Sequence, residues 1–331
     1  MNYPDKEYSV GLDIHEEEFY GNIMNKEGQE ITEGPVKYSE QGLQNFLGFL
    51  PSTDVVIAIE ACGISRAVYK LLTDMGYEVV IANPKKTHDI AGKNKTDRID
   101  AKTLANLLRT KYLPTIYVPD NEILKLRDLS RHRVQLVRTK TRLQLMIRSN
   151  LVRNGKKPSG NWNKKTIEEL KEMGPMINNF VEIMERTNEQ IKQVVREIKR
   201  IAHNKHLTKL LMTIPGIGEI SAILILGEIG DIKRFDNPKS LVRYAGLCPG
   251  VYQSGKKSRD TIENANNKWL KWIMTECGGI GAKYDENYMK HYFRVKKRKG
   301  FKVARRSVAR KMIIDIWHIL TKEEPFNKSG S

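Results

Sequence analysis

Two acidic residues stand where acids are unfavourable. Asp13 follows the apolar-rich run Tyr8–Leu12, and Glu60 closes the continuous apolar run Val55–Ile59. Each run has the length of a buried strand, so the two carboxylates emerge together at one edge of a sheet, where they repel unless a cation lies between them. Asp97 and Asp100, in Lys95-Thr96-Asp97-Arg98-Ile99-Asp100-Ala101, are three residues apart at the start of a helical stretch and share one face. Four hard oxygen donors suit Mg²⁺ or Mn²⁺, and a pair of such ions is a common clamp for phosphodiester chemistry. Asp13, Glu60, Asp97 and Asp100 are therefore read as metal ligands and catalytic carboxylates for phosphoryl transfer. Taken singly they have plainer readings, Asp97 as a helix cap and Glu60 as half of an ion pair.

A second group faces phosphate from the other side of the charge balance. In Val251-Tyr252-Gln253-Ser254-Gly255-Lys256-Lys257-Ser258-Arg259, a serine precedes three bases within five residues. Serine attacks phosphorus poorly unless it is activated and the developing charge is neutralised; Lys256, Lys257 and Arg259 can do the second. Spacing alone favours a phosphate-gripping loop and leaves a nucleophilic role for Ser254 open. Upstream, Thr213-Ile214-Pro215-Gly216-Ile217-Gly218 is a turn before a helix. It can be a helix-hairpin-helix element, with the backbone N–H groups around Gly216 and Gly218 meeting a DNA phosphate, or simple punctuation between helices.

The charge pattern names the polyanion. The chain of 331 residues carries a formal +18, yet residues 1–60 hold twelve acids against three lysines, so the remainder carries +27. From Lys125 to Lys157 eleven bases, among them Arg131, Arg138 and Arg142, face one acid. From Lys290 to Lys311 eleven bases, including Lys297, Arg298, Arg305 and Arg306, are interleaved with Tyr292 and Phe301 and meet no acid. Such stretches release counterions from a nucleic-acid backbone, so double-stranded DNA is the expected partner. Three well-separated cysteines, Cys62, Cys248 and Cys277, give no zinc or redox spacing, and no apolar run approaches a membrane span. The expectation is a soluble cytoplasmic protein with reduced thiols, associated with the nucleoid.

The elements that must position these groups follow from periodicity. Three short antiparallel strands open the chain, Tyr8–Ile14, Phe19–Asn25 and Gln29–Glu33, with Asn25-Lys26-Glu27-Gly28 as a hairpin turn. A helix capped by Ser39 runs through Leu50, a strand covers Val55–Ile59, a helix runs from Ile64 to Met75 and stops at Gly76, and a strand covers Glu78–Ala82 before Asn83-Pro84 breaks it. Leu129, Leu136 and Leu143, continued by Ile147 and Leu151, and then Ile177, Met184, Ile191 and Ile198, recur every seven residues or close to it. Two long helices paired as an antiparallel coiled-coil arm, or as an ordinary helical core, account for this. The fold class is α/β plus α, in three parts: 1–120 with the carboxylates, 121–205 as the helical arm, and 206–326 as a mostly helical domain with the hairpin motif and the basic loop.

Taken in order, Gly11-Leu12-Asp13, Ile59-Glu60-Ala61, Lys95 to Ala101, Ile214-Pro215-Gly216-Ile217-Gly218 and Tyr252-Gln253-Ser254-Gly255 resemble the DEDD transposases of the IS110 insertion-sequence family, over essentially the whole chain. The resemblance implies a RuvC-like domain of ribonuclease-H fold, a coiled-coil linker and a transposase domain with a catalytic serine. It implies Mg²⁺ on Asp13, Glu60, Asp97 and Asp100, and Ser254 as the nucleophile joined to a DNA 5′ phosphate. It further implies a structured guide (bridge) RNA that pairs with donor and target DNA. Because the carboxylates and Ser254 belong to different domains and the arm offers an assembly surface, a homodimer assembling to a tetramer is expected. Two other readings compete: a RuvC-class nuclease that resolves branched DNA by hydrolysis, and a DNA-architectural protein that only binds.

Overall fold

In the computed structural model the apolar runs become the centre of a six-stranded sheet. The structure describes residues 3–91, 96–157, 160–202, 205–248, 250–254, 257–261 and 267–327, and the chain divides into two compact units, Met1–Val118 and Pro119–Ser331.

The first unit runs β1 (Tyr8–Ile14), β2 (Glu18–Asn25), β3 (Glu30–Lys37), α1 (Glu40–Leu47), β4 (Val55–Glu60), α2 (Ser65–Asp74), β5 (Glu78–Ala82), α3 (Pro84–Ala91), α4 (Asp97–Arg109) and β6 (Thr115–Ile116). The sheet order is β3-β2-β1-β4-β5-β6. β1 pairs antiparallel with β2 and parallel with β4, and β5 adds parallel to β4. All seven residues of β1 are buried, as a strand covered on both faces requires.

Two boundaries differ from the sequence reading for local reasons. β3 continues past Glu33 through Gly34 and Pro35 to Lys37; it is an edge strand, where a proline's missing N–H costs no ladder bond. Asn83-Pro84 does end β5, but it also starts α3, with Asn83 Oδ1 accepting from Lys86 N at 3.2 Å and Pro84 as the first helical residue, the position where proline is tolerated best.

α4 lies directly on β1. A Cβ at Gly11 would stand 2.1 Å from the Ala101 carbonyl oxygen and 2.6 Å from the Ala105 nitrogen, so the crossing exists only because residue 11 has no side chain. Ties to the β2–β3 hairpin fix the helix in rotation: Arg98 pairs with Glu33, Lys102 with Glu30 at 3.1 Å, and Arg109 donates to the Lys26 carbonyl at 2.9 Å.

The second unit is helical. It comprises α5 (Asn121–Arg153), α6 (Lys164–Lys171), α7 (Pro175–Ile201), α8 (Lys205–Met212), α9 (Glu219–Ile229), a short 3-10 turn (Ile232–Arg234), α10 (Pro238–Tyr244), the hairpin β7 (Gly250–Ser254) and β8 (Lys257–Thr261), α11 (Lys268–Tyr284) and α12 (Glu286–Lys322). α5 and α7 pack together through Leu143, Ile147 and Leu151 against Ile177, Val181 and Met184, with Leu170 of α6 closing the cluster. Leu129 and Leu136, earlier on the same seam, are only half-buried. A separate core gathers α8 to α12 around Leu211, Ile225, Leu241, Met274, Met312 and Ile316. Glycines set its tightest crossings: a Cβ at Gly278 of α11 would lie 2.8 Å from the Ala309 nitrogen of α12.

α12 is not one straight rod. Gly300 has φ +78° and ψ 171°, and the chain reverses there. His291 Nε2 lies 2.6 Å from Ser307 Oγ, and the Tyr288 hydroxyl donates to Asp315 Oδ2. In a continuous helix Tyr288 and Asp315 would be ~40 Å apart at ~1.5 Å per residue, so segments 286–299 and 301–322 run antiparallel as a helical hairpin.

The Gly11 contact yields a direct test. Gly11→Ala is expected to destabilise the chain by ~1–3 kcal/mol through overpacking, read as a lower urea midpoint; an unchanged midpoint would show that α4 does not bear on β1 as described.

Candidate metal centre and nucleic-acid interface

β1 delivers Asp13 to the sheet edge near its C-terminal end. The strand is central and apolar, so Asp13 is drawn in with it and is only 6% exposed. α4 delivers the other carboxylates. Thr96 is its cap, with Oγ1 accepting from Ile99 N at 3.2 Å, which leaves the Asp97 carboxylate free of the capping role and at the first helical position. Because α4 crosses β1 at Gly11, its first turn comes over the end of that strand.

The result is a cluster of charge. Burial raises the Asp13 pKa, and the neighbouring charges of Asp100 and Asp97 raise it further, while His15 opposes them. His15 Nε2 lies 3.3 Å from Asp13 Oδ2 and 3.5 Å from Asp97 Oδ1. Ligand atoms of Asp13, His15 and Asp97 all fall within 4.8 Å of one another. A buried carboxylate facing two more carboxylates is a donor set that calls for a cation, and hard oxygens with one imidazole accommodate Mg²⁺ or Mn²⁺. The residues present therefore fit a divalent ion.

Sequence reasoning missed His15. The signal was present: His15 directly follows β1, two residues beyond Asp13, where an extended chain would bring it to the same face. Glu60 stands differently. It ends β4 at the position following the Leu12–Ile59 pair, half-buried, next to Asp13 in register but outside the three-residue cluster. Asp100 acts on Asp13 through its charge and is also outside that cluster.

In the second unit the candidate phosphate contacts divide into two kinds. Arg131 grips the buried Glu228 with two hydrogen bonds, Nε to Oε1 at 2.8 Å and Nη2 to Oε2 at 2.9 Å. Glu228 also accepts from Asn267 Nδ2 at 2.8 Å, and its carbonyl accepts from Arg127 and from the Tyr244 hydroxyl. Asn267 caps α11, so this network ties α5, α9, α10 and the start of α11 into one corner. Arg138 lies over the Trp269 and Trp272 rings at 5.4 and 5.8 Å. By contrast Arg142, Lys297, Arg298 and Arg306 are exposed, and Arg305 pairs with Glu276 at 2.9 Å.

Gly216, with φ +93°, packs against the α11 backbone, where a Cβ would come 2.5 Å from the Gly281 nitrogen. Gly218 is exposed and begins α9. Ser254 is the last residue of β7 and pairs in register with Lys257; Arg259 pairs with Tyr252. Gly255 and Lys256, like Lys95 of the Asp-x-x-Asp segment, lie outside the described residues. Among the described residues no helix is long and apolar enough to cross a membrane.

Comparison with known proteins covers both units. Residues 10–155 match a family model of DEDD type described as Transposase, and residues 208–294 match one described as Transposase IS116/IS110/IS902 family. The putative transposase y4qE of Sinorhizobium fredii is 26% identical over 252 residues, 74% of this chain and 63% of that protein, so the match spans less than two thirds of that relative. The transposase for insertion sequence element IS1328 of Yersinia enterocolitica is 24% identical over 82% of this chain and 83% of its own length. The pilin gene-inverting protein of Moraxella bovis is 30% identical over 54% of this chain and 51% of its own.

Two outcomes follow from this geometry. A carboxylate with a raised folded-state pKa stabilises the fold while protonated, and that contribution is lost as the pH climbs through the raised value. With divalent ions chelated at neutral pH, Asp13→Asn is therefore expected to be more stable than the parent, an advantage that fades as the pH falls to the ordinary aspartate range; urea titrations at two pH values read it, and a less stable variant at neutral pH contradicts it. Arg131→Ala, which strands a buried carboxylate, is expected to cost ~3–5 kcal/mol. Exposed Arg142→Ala should stay within about 0.5 kcal/mol; equal losses in the two variants would remove the distinction between structural and exposed arginines.

Proposed function

The chain belongs to the IS110 family of transposases, and from that premise we propose that it cuts and rejoins DNA through a covalent phosphoserine at Ser254, assisted by Mg²⁺ or Mn²⁺ and directed by a guide RNA. The observation that supports the reading is the cluster of the buried Asp13 with His15 and Asp97, to which Asp100 adds its charge. A divalent ion held by Asp13, Asp97 and Asp100, with Glu60 alongside, would supply charge neutralisation at a transferring phosphate. In this reading the first unit is a RuvC-like domain of ribonuclease-H type, α5 and α7 form a coiled-coil arm, and α8, the 213–218 turn and α9 form a helix-hairpin-helix. The bridge RNA follows from the family resemblance, and homodimers assembling to tetramers from the placement of the carboxylates and Ser254 on different domains with the arm as an assembly surface.

The chain's own groups have defined parts. The Ser254 Oγ–P bond forms as the P–O3′ bond of the DNA breaks, and the serine proton ends on the released 3′ hydroxyl. The phosphodiester energy is kept in the ester, so a second 3′ hydroxyl can reverse the step on a different strand without ATP. Lys257, opposite Ser254 in the β7–β8 register, and Arg259 supply positive charge to the pentavalent phosphate. Exposed arginines such as Arg142 hold backbones without reading bases, which leaves sequence choice to the RNA.

The test is a denaturing gel of the protein incubated with element ends, guide RNA and Mg²⁺. A protein–DNA adduct is expected from the parent and none from Ser254→Ala. Cleaved DNA in equal yield from both, with no adduct, would replace this reading by metal-dependent hydrolysis.

A further inference from the structure

The hairpin formed by α12 ends in a tip that neither the carboxylate centre nor the Ser254 loop uses. Its sequence is Lys296-Lys297-Arg298-Lys299-Gly300-Phe301-Lys302, five bases around one aromatic residue. Residues 296–303 are all exposed, whereas burial resumes at Ala304 on one arm and at Tyr288 on the other. The tip therefore projects from the core as a finger; from Tyr292, which packs on that core, to Gly300 is ~12 Å of helix at ~1.5 Å per residue.

Phe301 is 53% exposed at the end of this finger. The backbone can turn there because Gly300 adopts φ +78° with open space around its missing Cβ. Phe293, further down, is equally exposed, with the Lys296 Nζ 5.7 Å from its ring centre; what distinguishes Phe301 is its place at the apex, next to the reversal at Gly300. From Lys290 to Lys311 there is no acid at all. A like-charged tip is unfavourable on its own and becomes favourable on a polyphosphate. An aromatic ring at its apex, flanked by cations that grip both backbones, has the arrangement of proteins that insert an apolar wedge between base pairs and kink the duplex.

We propose that the α12 finger is a DNA-distorting wedge: its lysines and arginines seat on duplex phosphates and Phe301 inserts between base pairs from the minor groove, unstacking one step. The inference deepens the reading of the second unit as DNA-handling and rests on it. Pyrimidine–purine steps are the easiest to unstack, so TA steps are the expected points of entry. Local unstacking would loosen a donor or target duplex and ease strand exchange, with no base-specific contact from the protein.

The experiment uses the full chain and a short mixed-sequence DNA duplex with 2-aminopurine at a TA step. Binding is followed by anisotropy and stacking by 2-aminopurine fluorescence at saturation. The parent is expected to raise the fluorescence several-fold. Phe301→Ala should bind and give no rise, while Phe301→Leu, which keeps an apolar wedge, should retain most of it. Lys297→Ala with Arg298→Ala should reduce the salt slope of binding by ~2, one per lost phosphate contact. Saturated binding without a rise, or an equal rise from Phe301→Ala, overturns the wedge and leaves DNA handling intact. A rise confined to an RNA duplex overturns it in favour of an RNA-binding finger. Failure of the parent to bind DNA overturns both the wedge and the reading beneath it.

Discussion

The contact between Gly11 and the first turns of α4 is the constraint on which the candidate centre depends. A central strand that carries a buried carboxylate near its end leaves that charge in need of a partner; His15 supplies one in part, and a helix brings two further carboxylates to the same place. That helix can come close enough only where β1 has no side chain to hold it off. Its rotation is set by ion pairs to the β2–β3 hairpin, and its cap is Thr96, which keeps Asp97 available. Within the acid-rich residues 1–60, Glu30 and Glu33 hold α4, and Asp13 lies buried at the sheet edge beside His15 and Asp97. Burial and the charges of Asp97 and Asp100 together disfavour the charged form of Asp13, which sets this cluster apart from the ion pairs that hold α4.

The second unit solves a different problem, that of placing many positive charges on a stable framework. A buried carboxylate, Glu228, takes up part of the α5 charge and converts Arg127 and Arg131 into struts. Close glycine crossings at Gly216 and Gly278 let α11 lie tight against the turn before α9 and against α12. With that frame fixed, the remaining arginines and lysines stay on the surface, where phosphate can reach them. Asn267, bound to Glu228 and to the Tyr244 hydroxyl, caps α11 and fixes where it starts.

Much of this was legible in the sequence because it is local. The strand–strand–strand–helix–strand–helix–strand order, the Asn25–Gly28 turn, the Ser39 cap and the stop at Gly76 each follow from a few adjacent residues. So did the positions of Asp13 and Glu60 at strand ends and the shared face of Asp97 and Asp100. What was not legible is set by distant partners or by ambiguous local signals. Arg131 read as one more base on a basic helix, since its partner lies 97 residues away. Pro84 reads equally as a break and as a helix start. The basic segment 290–311 read as a continuous stretch, because a single glycine does not announce that a helix reverses upon itself.

The proposed reaction requires Asp13 and the first turn of α4 to hold a divalent ion together. The most direct test is calorimetric titration of Mn²⁺ into the full chain, alongside Asp97→Asn and Asp13→Asn. Saturable binding by the parent, weakened by ~10-fold or more in each variant, is the predicted result. Equal affinity in all three proteins would contradict it, and would mean that the carboxylates meet at the sheet edge for some other reason.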